Sequence, residues 1–143
     1  MSGSVISVRI KNSEGKMQDQ TELDLHKEKG IVGDMYYGHE NRQVLLLNLQ
    51  TLHEHQYQPG DLREQILIDF APLQSLEEGS LLKVGDAVLK ITFDCHPCRH
   101  MAEVLGEEPE KFVKKMMGKR GMLATVYESG RVRSGDEVRI VSE

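Results

Sequence analysis

Alternating apolar and polar positions predict several short β-strands along the chain. Residues 4–10 and 64–70 show a period of two, and residues 66, 68 and 70 of the second segment place apolar side chains on one face. Residues 42–48 contain the continuous apolar run Val44 to Leu47, which is typical of a buried strand. Further strands are predicted at residues 23–26, 81–84, 87–93, 122–128 and 137–141. The polar, glycine-containing segment 12–20 is predicted to be a loop.

A smaller number of segments predict helices and tight turns. Helical spacing appears at residues 49–57, 99–105 and 109–117, the last with Pro109 in its first turn and Gly118 after its end. Gly-Asp pairs at 85–86 and 135–136 each separate two strand-like segments. Because glycine tolerates the backbone of a tight turn, both pairs predict turns between strands. Many short strands with few helices predict a mostly β fold, a partly closed β-barrel with two or three short helices.

Length and composition restrict the class of protein. The 143 residues fit one domain, so we expect residues 1–143 to form a single unit. A net charge of −5 and no basic stripe argue against specific nucleic-acid binding. The longest apolar run has four residues against the ~20 that a membrane helix needs, and no signal segment is evident. With only two cysteines and no disulfide framework, we expect a cytoplasmic protein without a membrane partner.

The densest reactive cluster is the segment Asp94-Cys95-His96-Pro97-Cys98-Arg99-His100, placed between a predicted strand and a predicted helix. A thiol near cationic side chains and a helix N-terminus has its thiolate form favoured, and the thiolate is the form that attacks sulfur or binds a soft metal. Cys98 and Cys95 are therefore candidate catalytic residues, with Arg99 as a neighbouring cation.

Three other interpretations of this cluster stay open. The cysteines could be ordinary core residues, since free cysteine is often buried. Cys95, Cys98, His96 and His100 are permitted zinc ligands, although adjacent residues converge poorly on one tetrahedron. The Cys-His-Pro-Cys spacing also has the Cys-x-x-Cys form of dithiol redox sites, but without their usual βαβ context.

Cationic and polar residues at other predicted strand ends are candidate ligand contacts. Arg42 and Gln43 begin one strand and Arg120 precedes another, where arginine can clamp a phosphate or carboxylate. Asp34 and His39 are candidates for ligand contacts at the same rim of the predicted barrel. The simpler alternatives are solvated arginines, a turn-capping role for Asp34 and an exposed loop for His39.

Taken in order, seven segments resemble the MOSC domain family over residues 30–141. They are Gly30-Ile-Val-Gly33-Asp34, Arg42-Gln43-Val44-x-Leu46-Leu47, Pro59-Gly60, Gly79-x-Leu-Leu-x-Val-Gly85-Asp86-x-Val-Leu89, His96-Pro97-Cys98, Lys119-Arg120-Gly121-Met-x-Ala124-x-Val126 and Gly130-Arg-Val-Arg-x-Gly135-Asp136-x-Val138. One departure is Arg63-Glu64-Gln65, where the family often has Gly-Glu-Asn after the Pro-Gly turn.

The resemblance implies molybdenum-cofactor chemistry with Cys98 as the functional thiol. In a first hypothesis, Cys98 ligates the metal of a Mo-molybdopterin, Arg42, Arg120 and Arg99 hold its phosphate, and a small N-hydroxylated compound is reduced. In a second, Cys98 is a sulfur carrier that receives a persulfide from a cysteine desulfurase. The resemblance does not extend to a pyridoxal-phosphate desulfurase module, so we do not expect that cofactor in this chain.

Overall fold

A computed structural model describes residues 2–142. Its strands are β1 (Ser2–Lys11), β2 (Met17–Gln20), β3 (Glu22–His26), β4 (Gly30–Ile31), β5 (Val44–Asn48), β6 (Ile66–Asp69), β7 (Leu81–Val84), β8 (Ala87–Asp94), β9 (Met122–Glu128), β10 (Gly130–Arg133) and β11 (Glu137–Ser142). Its α-helices are α1 (Leu49–His55), α2 (Arg99–Leu105) and α3 (Pro109–Met116).

Seven strands form a closed barrel in the order β11-β7-β8-β9-β5-β6-β1, and pairing of β1 with β11 completes the ring. All neighbours in the ring are antiparallel except β5 and β6, which are parallel. A parallel pair needs a crossover connection, and α1 lies within it. The expected mostly β barrel with short helices is thus confirmed, and the ring is fully closed where the sequence had indicated partial closure.

Two hydrophobic layers explain why β5 is apolar at four consecutive positions, Val44 to Leu47. Val44 and Leu46 point into the barrel core, whereas Leu47 points outward into a second core formed with the three helices. On β6 the inward residues Ile66 and Ile68 flank the outward Leu67 in the same way. The helices therefore cover one side of the barrel, and strands buried on both faces lose the apolar–polar alternation.

The predicted loop at residues 12–20 contains a strand that the apolar pattern does not show. Strand β2 pairs antiparallel with the end of β1, from Lys11 opposite Met17 to Val8 opposite Gln20. Its side chains are mostly exposed and polar, so only backbone pairing marks it as a strand. A second sheet of β10, β3 and β4 lies beside the barrel. No helix in residues 2–142 is long and apolar enough to cross a membrane.

The ladder between β8 and β9 continues past both strands, where the backbone N–H of Cys95 donates to the carbonyl of Gly121 at 2.8 Å. Gly121 has φ +104° and lies against β5, so a Cβ there would collide with the carbonyl oxygen of Leu46. Only glycine fits this position, which fixes the backbone next to Arg120.

We predict that Gly121→Ala lowers the free energy of unfolding by about 3 kcal/mol, because it adds backbone strain to a steric collision. Gly118 is a matched control, since it also has positive φ (+76°) but a Cβ there meets nothing within 4 Å. Gly118→Ala should lose only about 1 kcal/mol. Urea unfolding measures both losses, and equal losses would contradict the packing argument.

Candidate functional site

A cleft of about 290 Å³ lies at one rim of the barrel. It is formed where β1 ends, before β5, β6 and β9 begin, and in the turn between β8 and α2. Its lining combines two thiols, four cationic side chains, two imidazoles, a phenol and a thioether: Cys95, Cys98, Lys11, Arg42, Arg63, Arg120, His96, His100, Tyr36 and Met101. Among the described residues, no carboxylate lines it. The cleft therefore favours anionic ligands.

Cys98 is the accessible thiol of the cleft. It is exposed and occupies the N-cap of α2, where its Sγ accepts a hydrogen bond from the backbone N–H of Met101 at 3.4 Å. Pro97 before it favours extended backbone at His96 and interrupts the hydrogen-bonded ladder as β8 ends. The strand, proline and helix start thus present this sulfur at the rim.

Cys95 lines the same cleft but is 8% exposed and packs with Leu45 and Leu123. Burial raises the pKa of the Cys95 thiol above its usual value, and the nearby Arg120 and Arg42 offset part of this effect. The two thiols therefore differ in environment: the Cys95 thiol is mostly protonated at neutral pH, while Cys98 is the one open to a reaction partner.

Arg120 is 5% exposed, and its Nη1 has no hydrogen-bond partner among the described residues. Burial lowers the pKa of this guanidinium, yet arginine stays charged at neutral pH. A buried donor without an acceptor is destabilising, by about 1–3 kcal/mol and more when charged. An anionic ligand in the cleft would supply the missing acceptor. The simpler expectation of a solvated arginine is wrong for this residue.

Near the cleft, a buried ion pair joins Arg9, 2% exposed, and Glu64, 0% exposed. Arg9 Nη1 donates to Glu64 Oε2 at 3.0 Å, and the Gly60 N–H donates to the same oxygen at 2.7 Å. Burial raises the pKa of the Glu64 carboxyl, and the N–H of Gly60 with the charges of Arg9 and Arg120 offsets part of that. Glu64 is among the charges that act on Arg120, so it contributes to the electrostatics of the cleft.

The MOSC domain family model matches residues 36–139. The chain belongs to the MOSC domain family. Among solved structures, it is similar to the YuaD protein of Bacillus subtilis, at 21% identity and a TM-score of 0.87 over 100% of this chain and 97% of the other. It is similar to YiiM of Escherichia coli at 20% identity and a TM-score of 0.73, over 100% of this chain and 71% of the other. It is also similar to YiiM of Geobacillus stearothermophilus at 14% identity and a TM-score of 0.74, over 97% of this chain and 75% of the other. No curated protein matches the sequence.

Of the residues that the sequence singled out, Cys98, Cys95, Arg42 and Arg120 line the cleft of this MOSC domain. Arg99 is exposed on α2 and does not line it. Lys11, Tyr36 and Arg63 also line the cleft but were not among the predicted site residues, because a single lysine, tyrosine or arginine in a loop or at a strand end is usually a solvated surface residue.

The other three predicted residues lie next to the cleft and organise its loops. Gln43 is 2% exposed, donates to the carbonyls of Glu28 and His39, and accepts from the N–H of Val126 at 2.8 Å. Asp34 is 5% exposed and accepts from two backbone N–H groups. The exposed His39 accepts the Arg42 N–H at its Nδ1, 3.3 Å away.

The zinc interpretation gains no support from the geometry of residues 2–142, in which no three His, Cys, Asp or Glu side chains are grouped to hold a metal ion. His96 instead pairs with Asp94 at 3.1 Å. The dithiol interpretation is compatible with the two free thiols of the cleft.

The raised pKa of Glu64 leads to a prediction about pH. A carboxyl with a higher pKa in the folded than in the unfolded state stabilises the fold below its unfolded pKa of about 4.3, and this contribution is lost as pH rises through the folded pKa. The unfolding free energy of the wild type minus that of Glu64→Gln should therefore fall as pH rises above about 4.

Urea unfolding at a series of pH values measures that difference. If the altered contact with Arg9 lowers the stability of Glu64→Gln by the same amount at every pH, the pH slope of the difference is unchanged. Glu78→Gln, at an exposed position, is the control for loss of a carboxylate. A difference that grows with pH would show that the ion pair with Arg9 outweighs burial.

Proposed function

We propose that the cleft binds the molybdenum cofactor, with the Cys98 thiolate as a metal ligand, and that the domain reduces small N-hydroxylated compounds. The observation that carries this proposal is the buried Arg120 guanidinium, whose Nη1 has no partner among the described residues, in the same cleft as an exposed thiol. Membership of the MOSC family supports the choice of cofactor.

The residues present fit such a group by their chemistry. Thiolate is a soft ligand of the kind that thiophilic metals select. Molybdopterin carries a phosphate, and arginine donors bind phosphate through charge-assisted, often bidentate hydrogen bonds. Arg120 offers an unpartnered donor, and Arg42, Lys11 and Arg63 add positive charge with no lining carboxylate to oppose it. Both halves of the ligand thus have a complementary partner.

When bound, the metal supplies the two-electron step of the reduction. Cleavage of an N–O bond to amine and water also consumes two protons, which this chain must help to deliver. His96 and His100 line the cleft and are exposed, and imidazole exchanges protons near neutral pH. We assign them this delivery, while Arg120 holds the anionic end of the ligand. The electrons must come from a partner protein or small donor.

The exposure of Cys98 also favours a second function, that of a persulfide carrier. A cysteine desulfurase can transfer sulfur only to a thiol that it reaches, and Cys98 is exposed whereas Cys95 is buried. The cations around Cys98 would stabilise the anionic persulfide. Both functions need a reduced thiol, which is consistent with our proposal of a cytoplasmic location.

The test is elemental analysis with pterin fluorescence on protein produced in a host that makes the cofactor. We expect near-stoichiometric molybdenum and pterin in the wild type, and loss of the metal in Cys98→Ala but not in Cys95→Ala. Arg120→Met should lower pterin content by about tenfold or more, because a charged hydrogen bond contributes about 1.5–3 kcal/mol. Arg99→Met is the matched control for an arginine outside the cleft.

The other outcomes separate the alternatives. Absence of molybdenum and pterin from the wild type would contradict cofactor binding. Addition of one reducible sulfur to Cys98 after incubation with a desulfurase and cysteine, absent in Cys98→Ser, would then support the carrier function. Stoichiometric zinc lost in Cys95→Ala and Cys98→Ala would instead assign the cysteines to a metal site of another kind.

A further inference from the structure

We propose that Tyr36 is a positioning residue of the cleft: its ring and hydroxyl hold Arg42 and Lys11 so that their charges face the space beside Cys98. The inference deepens the proposed function, because it concerns the same cleft and the capture of an anionic ligand there. Nothing in the sequence pattern singled out Tyr36, which lies in a loop between β4 and β5.

The aromatic ring of Tyr36 contacts both cations. The Arg42 guanidinium carbon lies 4.5 Å from the ring centroid, and the Lys11 ammonium lies 5.4 Å from it. The same ammonium donates to the Tyr36 hydroxyl at 3.4 Å. All three residues line the cleft. Both distances to the ring fall within the ~6 Å range of cation–π attraction.

Tyr36 matters because these cations have no closer fixed partner of opposite charge. Within residues 2–142, no carboxylate pairs with the side chain of Arg42 or Lys11, in contrast to the buried pair of Arg9 and Glu64. A free arginine or lysine side chain samples many rotamers, and holding it in one costs conformational entropy. Stacking on a ring fixes the guanidinium plane and leaves its N–H edges available for an anion.

The backbone of Tyr36 and its ring are each held by a neighbouring side chain. Asp34 accepts the backbone N–H of Lys11 at 2.7 Å and that of Tyr36 at 3.0 Å, which ties the end of β1 to the loop. The His39 ring meets Tyr36 edge-on at 6.2 Å, while its Nδ1 accepts the Arg42 N–H. Hydrogen bonds from Asp34 and His39 therefore hold the backbone of Tyr36 and of both cations, Lys11 and Arg42.

This arrangement predicts that Tyr36 raises the concentration of anions around Cys98. The readout is the rate of Cys98 alkylation by iodoacetate, which is anionic, divided by its rate with iodoacetamide, which is neutral and of similar size. Peptide mass spectrometry follows Cys98 separately from Cys95. The ratio reports the local charge and cancels general changes in thiol exposure.

In Tyr36→Leu the ratio should fall about two- to fivefold at low ionic strength, the size expected from losing a cation–π contact. The difference should shrink toward one at 1 M salt, where charges are screened beyond ~3 Å. Tyr37→Leu is the matched control, because the neighbouring Tyr37 contacts His26 and does not line the cleft. It should keep the wild-type ratio, while Tyr36→Phe should lie in between because it retains the ring.

An unchanged ratio in folded Tyr36→Leu, or an equal fall in Tyr37→Leu, would overturn the assignment. Should Tyr36→Leu not fold by circular dichroism, the decision passes to Lys11→Gln measured in the wild type and in Tyr36→Phe. A smaller effect of Lys11→Gln in Tyr36→Phe supports positioning through the hydroxyl, and equal effects overturn it. None of these assays uses molybdenum, so cofactor binding can fail while the role of Tyr36 stands, and the reverse also holds.

Discussion

The cleft depends on one constraint: the guanidinium of Arg120 is buried, and its Nη1 has no hydrogen-bond acceptor among the described residues. Arg120 lies on the short backbone link before β9, and Gly121 fixes that link against β5. The buried Glu64 supplies an opposing charge nearby, but within residues 2–142 it forms its direct ion pair with Arg9, and the Arg120 guanidinium stays charged at neutral pH. Such an arrangement is unfavourable in isolation and favourable once an anion enters.

Hydrophobic periodicity predicts most of the barrel, and it fails where the backbone departs from regular pairing. The alternation along β1 places Val5 on the face opposite Val8, yet a register shift between Val5 and Ser7 brings Val5 into the barrel core with Val8 and leaves Ile6 against the helices. A bulge of this kind changes which side chains face inward and has no signature in the apolar pattern. Strand β2 is missed for a related reason, because its residues are polar and only its hydrogen bonds to β1 define it.

The candidate site could be predicted where its residues are neighbours in the chain or stand at the ends of predicted strands. Cys95 and Cys98 stand in a dense reactive segment, so their importance is visible from sequence. Lys11 and Tyr36 become part of the site only because closure of the barrel brings the end of β1 to the rim that carries the thiols. A ligand contact by Gln43 stays a prediction, and in the structure its side chain binds three backbone groups.

The most direct test of cofactor binding at this rim is anomalous diffraction at the molybdenum edge, from crystals of protein produced in a cofactor-competent host. We expect one strong peak at bonding distance from the Cys98 sulfur, with phosphate density on the guanidinium of Arg120. A metal peak elsewhere, or ligand density that leaves the Arg120 Nη1 without a partner, would contradict it.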